Sequence, residues 1–297
     1  MSLSFLTKSD STKYHLIAIL TVGVWGTTFI STKILIENGL SPQDIFFLRF
    51  LIAYLGIWLI SPRRILAYRW KDELLFLGAG LTGGTLYFLT ENTALSLTQT
   101  TNVAFIICTT PLLTTALALL TRQQEKAGKM LIIGSVIALL GVGLLIFNGS
   151  FVLKLSPMGD FLTVCAALSW AFYSLIIRKL SGRYSATFVA RKVFFYGLIT
   201  VLPAFIVHPF SFPLSCFANP EVWMNLLFLS VLASLICFAV WNVILKQLGT
   251  IQASNYLYLN PLFTTLAASI FLDEHITIYA IAGVAMVLGG VFIGARQ

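Results

Sequence analysis

ENTALSLTQTTNVAFIICTTPLLTTALA, residues 91–118, and WNVILKQLGTIQASNYLYLNPLFTTLAA, residues 241–268, are two stretches of one chain that read as copies when written one above the other. At this offset of 150, Asn92 meets Asn242, Leu95 meets Leu245, Thr100 meets Thr250, and Pro111-Leu112 with Thr114-Thr115 meets Pro261-Leu262 with Thr264-Thr265. After a one-residue gap Glu125, Gly134 and Gly141 align with Glu274, Gly283 and Gly290, and near the start of each half Trp25 with Lys33 is matched by Trp170 with Arg178. The order of these matches indicates an internal duplication.

Around the repeat, the composition sets the class. Of 297 residues 58% are hydrophobic and 10% charged, against roughly 25% charged in a soluble domain, which excludes a soluble enzyme. Ten apolar runs, 14–36, 44–61, 73–95, 101–121, 129–147, 159–180, 187–207, 221–246, 252–272 and 277–295, are each close to the ~20 residues that span a bilayer and leave no room for an extramembrane domain. Pro42, Pro62, Pro157, Pro209, Pro213 and Pro220 fall between them, where a missing amide costs nothing. The expected fold is all-α and integral to the membrane, with ten transmembrane helices forming two repeats, 14–147 and 159–295. Five helices per copy turn the second copy upside down relative to the first. Such inverted repeats recur in secondary transporters, where the halves rock about a site near the midplane.

The net charge of +8 reads as an orientation signal and not as a nucleic-acid surface. Lys8, Lys13, Arg63, Arg64, Arg69, Lys71, Arg122, Lys126, Lys129, Arg178, Lys179, Arg183, Lys246 and Arg296 fall on one side of the predicted membrane, and Lys154 on the other. Short loops rich in Lys and Arg stay in the cytoplasm, so both termini are expected there. The first residues, MSLSFLTKSDST, carry no signal-peptide pattern. Cys108, Cys165, Cys216 and Cys237 are far apart and form no C-x-x-C pair, which indicates neither a disulfide framework nor a metal site.

The halves resemble the two EamA domains of the drug/metabolite transporter superfamily. The resemblance rests on Trp25-Gly26 opening the first copy, Ala94-Leu95 followed by a polar turn, the Pro-Leu in the fourth span of each half, and Leu272-Asp273-Glu274 before the last helix; it covers about residues 16–295. Ala171 stands where the family has a glycine after the tryptophan, and TRQQEKAG replaces its acidic turn after helix four. The resemblance implies a ten-helix inner-membrane carrier whose relatives export amino acids and other small metabolites. It also implies that Trp25, Tyr87, Trp170, Tyr173, Trp241, Asn242, Asn255, Tyr258 and Asn260 lie on cavity-lining helices, although each residue type is equally at home in packing.

Glu91 lies well inside the third apolar run with no basic residue within one helical turn, and intramembrane carboxylates are rare and usually functional. Three roles are open to it: an ion pair with Lys33 or Arg49, contact with a substrate ammonium, or proton coupling. Lys33, Arg49 or the amino end of a broken helix could meet a substrate carboxylate. Pro111 and Pro261 fall near mid-span, as hinges beside a site or as packing kinks, and Thr110 and Asn260 before them could satisfy the disturbed carbonyls. Arg191 and Lys192 are expected to snorkel to the interface, and Trp70 and Trp223 to anchor span ends.

His15, His208 and His275 are isolated and Asp273-Glu274 forms a two-residue acidic turn without a partner motif, which argues against an enzyme; no filter loop suggests a channel, and no phosphate loop suggests ATP-driven transport. The expected activity is secondary active or facilitative export of small neutral or aromatic amino acids or related metabolites by alternating access. The alternative is export of drug-like cations or organic anions. The implied partners are a small-molecule substrate and the lipid bilayer, with proton coupling open, no cofactor, no nucleic acid, and one chain sufficient for a pathway.

Overall fold

The computed structural model of the chain describes residues 8–60, 62, 65–121, 128–147, 156–210, 214–271 and 277–295. Arg63, Arg64, Arg122, Glu125, Lys126, Lys154, Pro213, Leu272-Asp273-Glu274, His275 and Arg296 lie outside the described residues. Regular structure among those described is helical throughout: α1 (Lys8–Glu37), α2 (Pro42–Ile60), α3 (Trp70–Leu97), α4 (Thr100–Ile107), α5 (Thr110–Leu120), α6 (Lys129–Phe147), α7 (Pro157–Ser181), α8 (Ala186–Val207), α9 (Pro220–Leu248), α10 (Thr250–Asn255), α11 (Asn260–Phe271) and α12 (Ile278–Ala295). Nine candidate membrane spans run through them, α4 and α5 together forming one from Asn102.

The starts of these helices are written in local chemistry. Ser41 and Asp44 cap α2 reciprocally, the Ser41 hydroxyl donating to Asp44 Oδ2 at 2.6 Å and the Asp44 amide to Ser41 Oγ at 3.3 Å, with Pro42 in the first turn where no amide is needed. Ser185 Oγ accepts from the Phe188 amide at the start of α8, and Asn219 Oδ1 from the Glu221 amide at the start of α9.

The expected continuous helix at 252–272 is instead α10, a 3-10 turn at Tyr256–Leu259, and α11. The fourth span of the first half is interrupted too, by a turn at Cys108-Thr109. Pro111 and Pro261 therefore stand in the first turn of α5 and α11 rather than inside a helix, and mid-helix kinks are not what they produce. Hydroxyls occupy the carbonyls at the first break: Thr109 Oγ1 donates to Ile106 O at 2.7 Å and Thr110 Oγ1 to Ile107 O at 2.5 Å. The amino end of α11 is held against α1, where Thr264 Oγ1 donates to Gly26 O at 2.5 Å and a Cβ on Gly26 would stand 2.7 Å from Asn260 O.

Two features recur in both halves. Each long third span contains a π turn, Leu81–Leu86 in α3 and Phe228–Ile236 in α9. Lys33 Nζ donates to Leu95 O at 3.0 Å, and its counterpart Arg178 donates to Leu245 O at 3.1 Å. Lys33 is thus a carbonyl cap of α3 and not the partner of Glu91.

Helices α6 and α12 cross in antiparallel sense, backbone on backbone. A Cβ on Gly134 would collide with Gly290 O, and one on Gly283 would lie 2.7 Å from Gly141 O. The aromatic core fills the space between α1, α2, α3, α7, α8 and α9. Phe50 packs on Phe46, Phe88, Phe194 and Phe238, and Trp25 packs edge-on to Trp170 with centroids 5.2 Å apart.

The two ends of the bundle are closed differently. Where α3 begins, Arg183 pairs with Asp72 at 2.7 Å and the Tyr184 hydroxyl donates to the same carboxylate at 2.8 Å; burial first, and that carboxylate next, push the Tyr184 phenol above its ordinary range. Beside them Lys192 pairs with Glu73 at 2.8 Å, and Glu73 also accepts from the Tyr196 hydroxyl and the Ala67 amide. Arg191 and Lys192 find partners within the bundle, near the end where α3 begins. Both are buried, Arg191 with its guanidinium 4.5 Å from the Trp58 ring, because an acid and an aromatic face are offered to them within the bundle. At the opposite end Asn219 Nδ2 donates to Asn38 Oδ1 at 2.9 Å. Trp70 and Trp223 stand exposed near the starts of α3 and α9.

Candidate functional site

A cleft of about 450 Å³, counting its open mouth, is lined by Trp25, Thr28, Phe29, Arg49, Tyr87, Phe88, Glu91, Ile107, Thr110, Trp170, Phe238, Leu257 and Asn260. Residues from both sides of each helix break contribute: Ile107 with Thr110, and Leu257 with Asn260. The amino ends of α5 and α11 therefore border the cleft, and aligned peptide dipoles make such ends attractive to anions. Glu91 stands six residues before the Leu97 end of α3, about 9 Å at the α-helical rise, so the cleft lies toward the end opposite the ion pairs.

Two opposite charges face this space. Glu91 is 5% exposed and accepts one protein hydrogen bond, from the Tyr87 hydroxyl one turn earlier, at 2.8 Å. No Lys or Arg nitrogen lies within 4 Å of it among the described residues. Arg49 is 3% exposed, its Nε donating to Ser234 Oγ at 2.5 Å and its guanidinium carbon 4.4 Å from the centre of the Phe88 ring. The expected alternative of a Glu91–Arg49 ion pair is not formed. Each side chain is held by a neutral hydroxyl instead, and the cleft presents an acidic and a basic side chain that do not touch.

The walls are aromatic. Trp25 donates its indole N–H to Ala233 O at 2.9 Å, while the buried indole N–H of Trp170 has no acceptor among the described residues. Trp170 also packs on Tyr87, centroids 4.9 Å apart. The structure thus brings Trp25, Tyr87, Glu91, Trp170 and Asn260 of the expected set to the cleft, together with Arg49 and Thr110. It places five others behind the wall. Tyr173 is fully buried under Gly83 and donates to Asn242 Oδ1 at 3.2 Å, and Trp241 packs on Trp25 with centroids 5.0 Å apart. Asn255 donates to Val291 O at 3.1 Å, and Tyr258 is fully buried in the turn that packs on α6 and α12.

Sequence reasoning missed Thr28, Phe29, Phe88, Phe238 and Ser234. Thr28 and Phe29 stand one turn beyond Trp25, so a helical-face argument from Trp25 finds them. Nothing in composition distinguishes Ser234 from the other small residues of α9.

A profile of the EamA-like transporter family matches residues 12–147 and again 157–295. The chain is 28% identical over 287 residues to an uncharacterized transporter of Archaeoglobus fulgidus, covering 95% of this chain and 97% of that one. It is 26% identical over 294 residues to a probable amino-acid metabolite efflux pump of Escherichia coli K12, covering 95% of each. A solved crystal structure superposes with a TM-score of 0.73 at 19% identity, over 97% of this chain and 96% of that one, which shows a shared fold. With nine apolar helices long enough to cross a bilayer among the described residues and a family match in each half, this chain is a multi-pass membrane protein that belongs to the EamA-like transporter family.

Proposed function

We propose that the chain is a secondary carrier that moves small neutral or aromatic amino acids, or related metabolites, out across the inner membrane by alternating access. One observation carries the reading: Glu91 and Arg49 line a single aromatic cleft, both buried, unpaired with each other and each steadied by a hydroxyl. Two separated charges in a membrane interior are costly. A zwitterion relieves both at once, its ammonium on Glu91 and its carboxylate on Arg49, and an apolar side chain suits Trp25, Phe29, Trp170 and Phe238. A phosphate or a nucleotide calls for a cluster of cations, and Arg49 faces a carboxylate here. The name carried by the Escherichia coli relative agrees with this substrate class.

The same reading makes the architecture two inverted five-helix repeats, residues 14–147 and 159–295, with the interrupted segment Thr250–Phe271 as a tenth span. Support comes from the sequence match at offset 150, the π turns at matching positions, and the antiparallel contact of α6 with α12. The distribution of Lys and Arg supports a cytoplasmic position for both termini. Pro111 and Pro261, at the start of the half-helices that border the cleft, are the hinge candidates. One chain encloses the cleft, so a monomer suffices. Glu91 is also the group through which a proton could be exchanged against substrate, since no cation neutralises it at contact distance.

Liposomes preloaded with unlabelled amino acids and tested for counterflow of labelled tryptophan, phenylalanine, leucine and threonine provide the test. Trans-stimulated uptake is expected for the aromatic pair first. Failure of the whole panel removes the amino-acid assignment and favours drug-like cations at Glu91 or organic anions at Arg49. In the exchanging protein, Glu91→Gln is expected to abolish the pH dependence of transport, and an unchanged pH profile removes the proton role.

A further inference from the structure

Arg49 spends only one of its five N–H groups within the protein. Nε is bound to Ser234 Oγ, and among the described residues neither terminal guanidinium nitrogen has a protein acceptor. Neither is an enclosed atom lacking a partner, so both are open to the cleft. A guanidinium fixed at Nε and lying on the Phe88 ring presents its two terminal nitrogens as a fork, the geometry that grips a carboxylate with two parallel hydrogen bonds. Glu91 is arranged in the complementary way. Oε1 is taken by Tyr87, while Oε2 has no donor among the described residues and is likewise not enclosed.

One steadying hydroxyl lies within a π turn and the other directly after one. Ser234 lies within Phe228–Ile236 of α9 and is fully buried, and Tyr87 is the first residue after Leu81–Leu86 of α3. A π turn takes in one extra residue, which rotates the downstream part of the helix by about 100° relative to an unbroken α-helix. Gly83 inside the first turn lets the helix lie on Tyr173, where a Cβ would run into the ring.

We infer that Ser234 is a positioning residue for substrate selection: from the π turn of the second half it sets the angle of Arg49, a residue of the first half, so that the terminal nitrogens read a substrate carboxylate, while Tyr87 does the same for Glu91 and a substrate ammonium. The inference rests on the amino-acid reading above and adds to it the residues that orient the two charges.

The test is competition against counterflow of labelled phenylalanine by three compounds with the same ring: phenylalanine, phenethylamine, which lacks the carboxylate, and phenylpropionate, which lacks the ammonium. In Ser234→Ala the half-inhibitory concentrations of phenylalanine and phenylpropionate are expected to rise about tenfold, the worth of one hydrogen bond to a charged group, against less than about twofold for phenethylamine. Ser234→Thr, which keeps the hydroxyl, is expected to restore the wild-type ratio. Tyr87→Phe is expected to move the ratio of the two analogues in the opposite direction. If Ser234→Ala fails to reach the membrane, Ser234→Cys keeps the volume with a far weaker hydrogen-bonding group and reads the same ratio. Equal weakening of all three competitors, or none, overturns the inference and leaves Ser234 as a packing residue. Wild-type protein that does not exchange phenylalanine removes the underlying reading and this one with it, whereas exchange with an unmoved ratio removes this one alone.

Discussion

The end of the bundle where α3 begins and the end where α9 begins are built from corresponding connections of the two halves, yet they are fastened by different chemistry. At the first, two ion pairs, two tyrosine hydroxyls and a backbone amide converge on Asp72 and Glu73. At the second, Val222 and Trp223 stand where the repeat offset puts those acids, and the connection is an Asn38–Asn219 hydrogen bond. One helical frame can therefore carry unequal closures, and the inequality lies in a handful of polar substitutions. The cleft lies nearer the end opposite the ionic one.

The inequality is most exposed to attack at Lys192. It is buried with Glu73, and removing one member of such a pair strands the other, so Lys192→Met is expected to cost about 3 kcal/mol, read as a fall in the unfolding temperature of detergent-solubilised protein. Pairing it with Glu73→Leu is expected to recover most of that loss, since no charge is left stranded. Next in size, Asp72→Asn loosens Arg183 and Tyr184 together. Because Arg183 is half exposed, the expected loss is only about 1 kcal/mol, measured in the same way and shrinking further at high salt. Smallest is Asn219→Ala at the other end, expected at about 0.5 to 1 kcal/mol. A loss at Asn219 equal to that at Lys192 contradicts the inequality of the two ends. Converting Asn38 to Asp and Asn219 to Arg probes it from the opposite direction, and the double variant is expected to be the more stable by a few tenths of a kcal/mol.

Most of the fold was legible because the signals behind it are additive over many residues. Apolar run length placed α2, α6, α7, α8 and α9 to within about two residues of their observed ends, and the P-L-x-T-T pair located the interrupted spans. The interruptions were not legible. Hydropathy is blind to whether a run of apolar residues is one helix or two, and Pro111 in a first turn has the same neighbours in sequence as a proline in a kink. The π turns were hidden for the same reason, and they decide where the side chains of the site point. A side chain after Leu86 or Ile236 points about 100° away from where an unbroken helix puts it. The resemblance puts Trp241 and Asn242 on cavity-lining helices without fixing the face they take, and they lie behind the wall, together with Tyr173, which seats under Gly83 of the first π turn. Glu91 and Arg49 were found because charge inside an apolar run is conspicuous wherever it points. The Lys192–Glu73 pair was not legible because the two residues are more than a hundred apart in sequence, a distance over which spacing arguments carry nothing.

The crossing of α6 and α12 constrains how the sequence can drift. Gly134, Gly141, Gly283 and Gly290 face the partner backbone so closely that even a methyl group meets main-chain atoms that have nowhere to go. On the outward faces Ile132, Ile133, Leu140, Ile281, Leu288 and Phe292 are exposed among these same two helices, where any apolar side chain serves. Mutational tolerance along them is therefore two-valued, with positions that accept a single amino acid set among positions that accept half a dozen. A saturation library of α6 and α12 should record that alternation as the period of the helix itself.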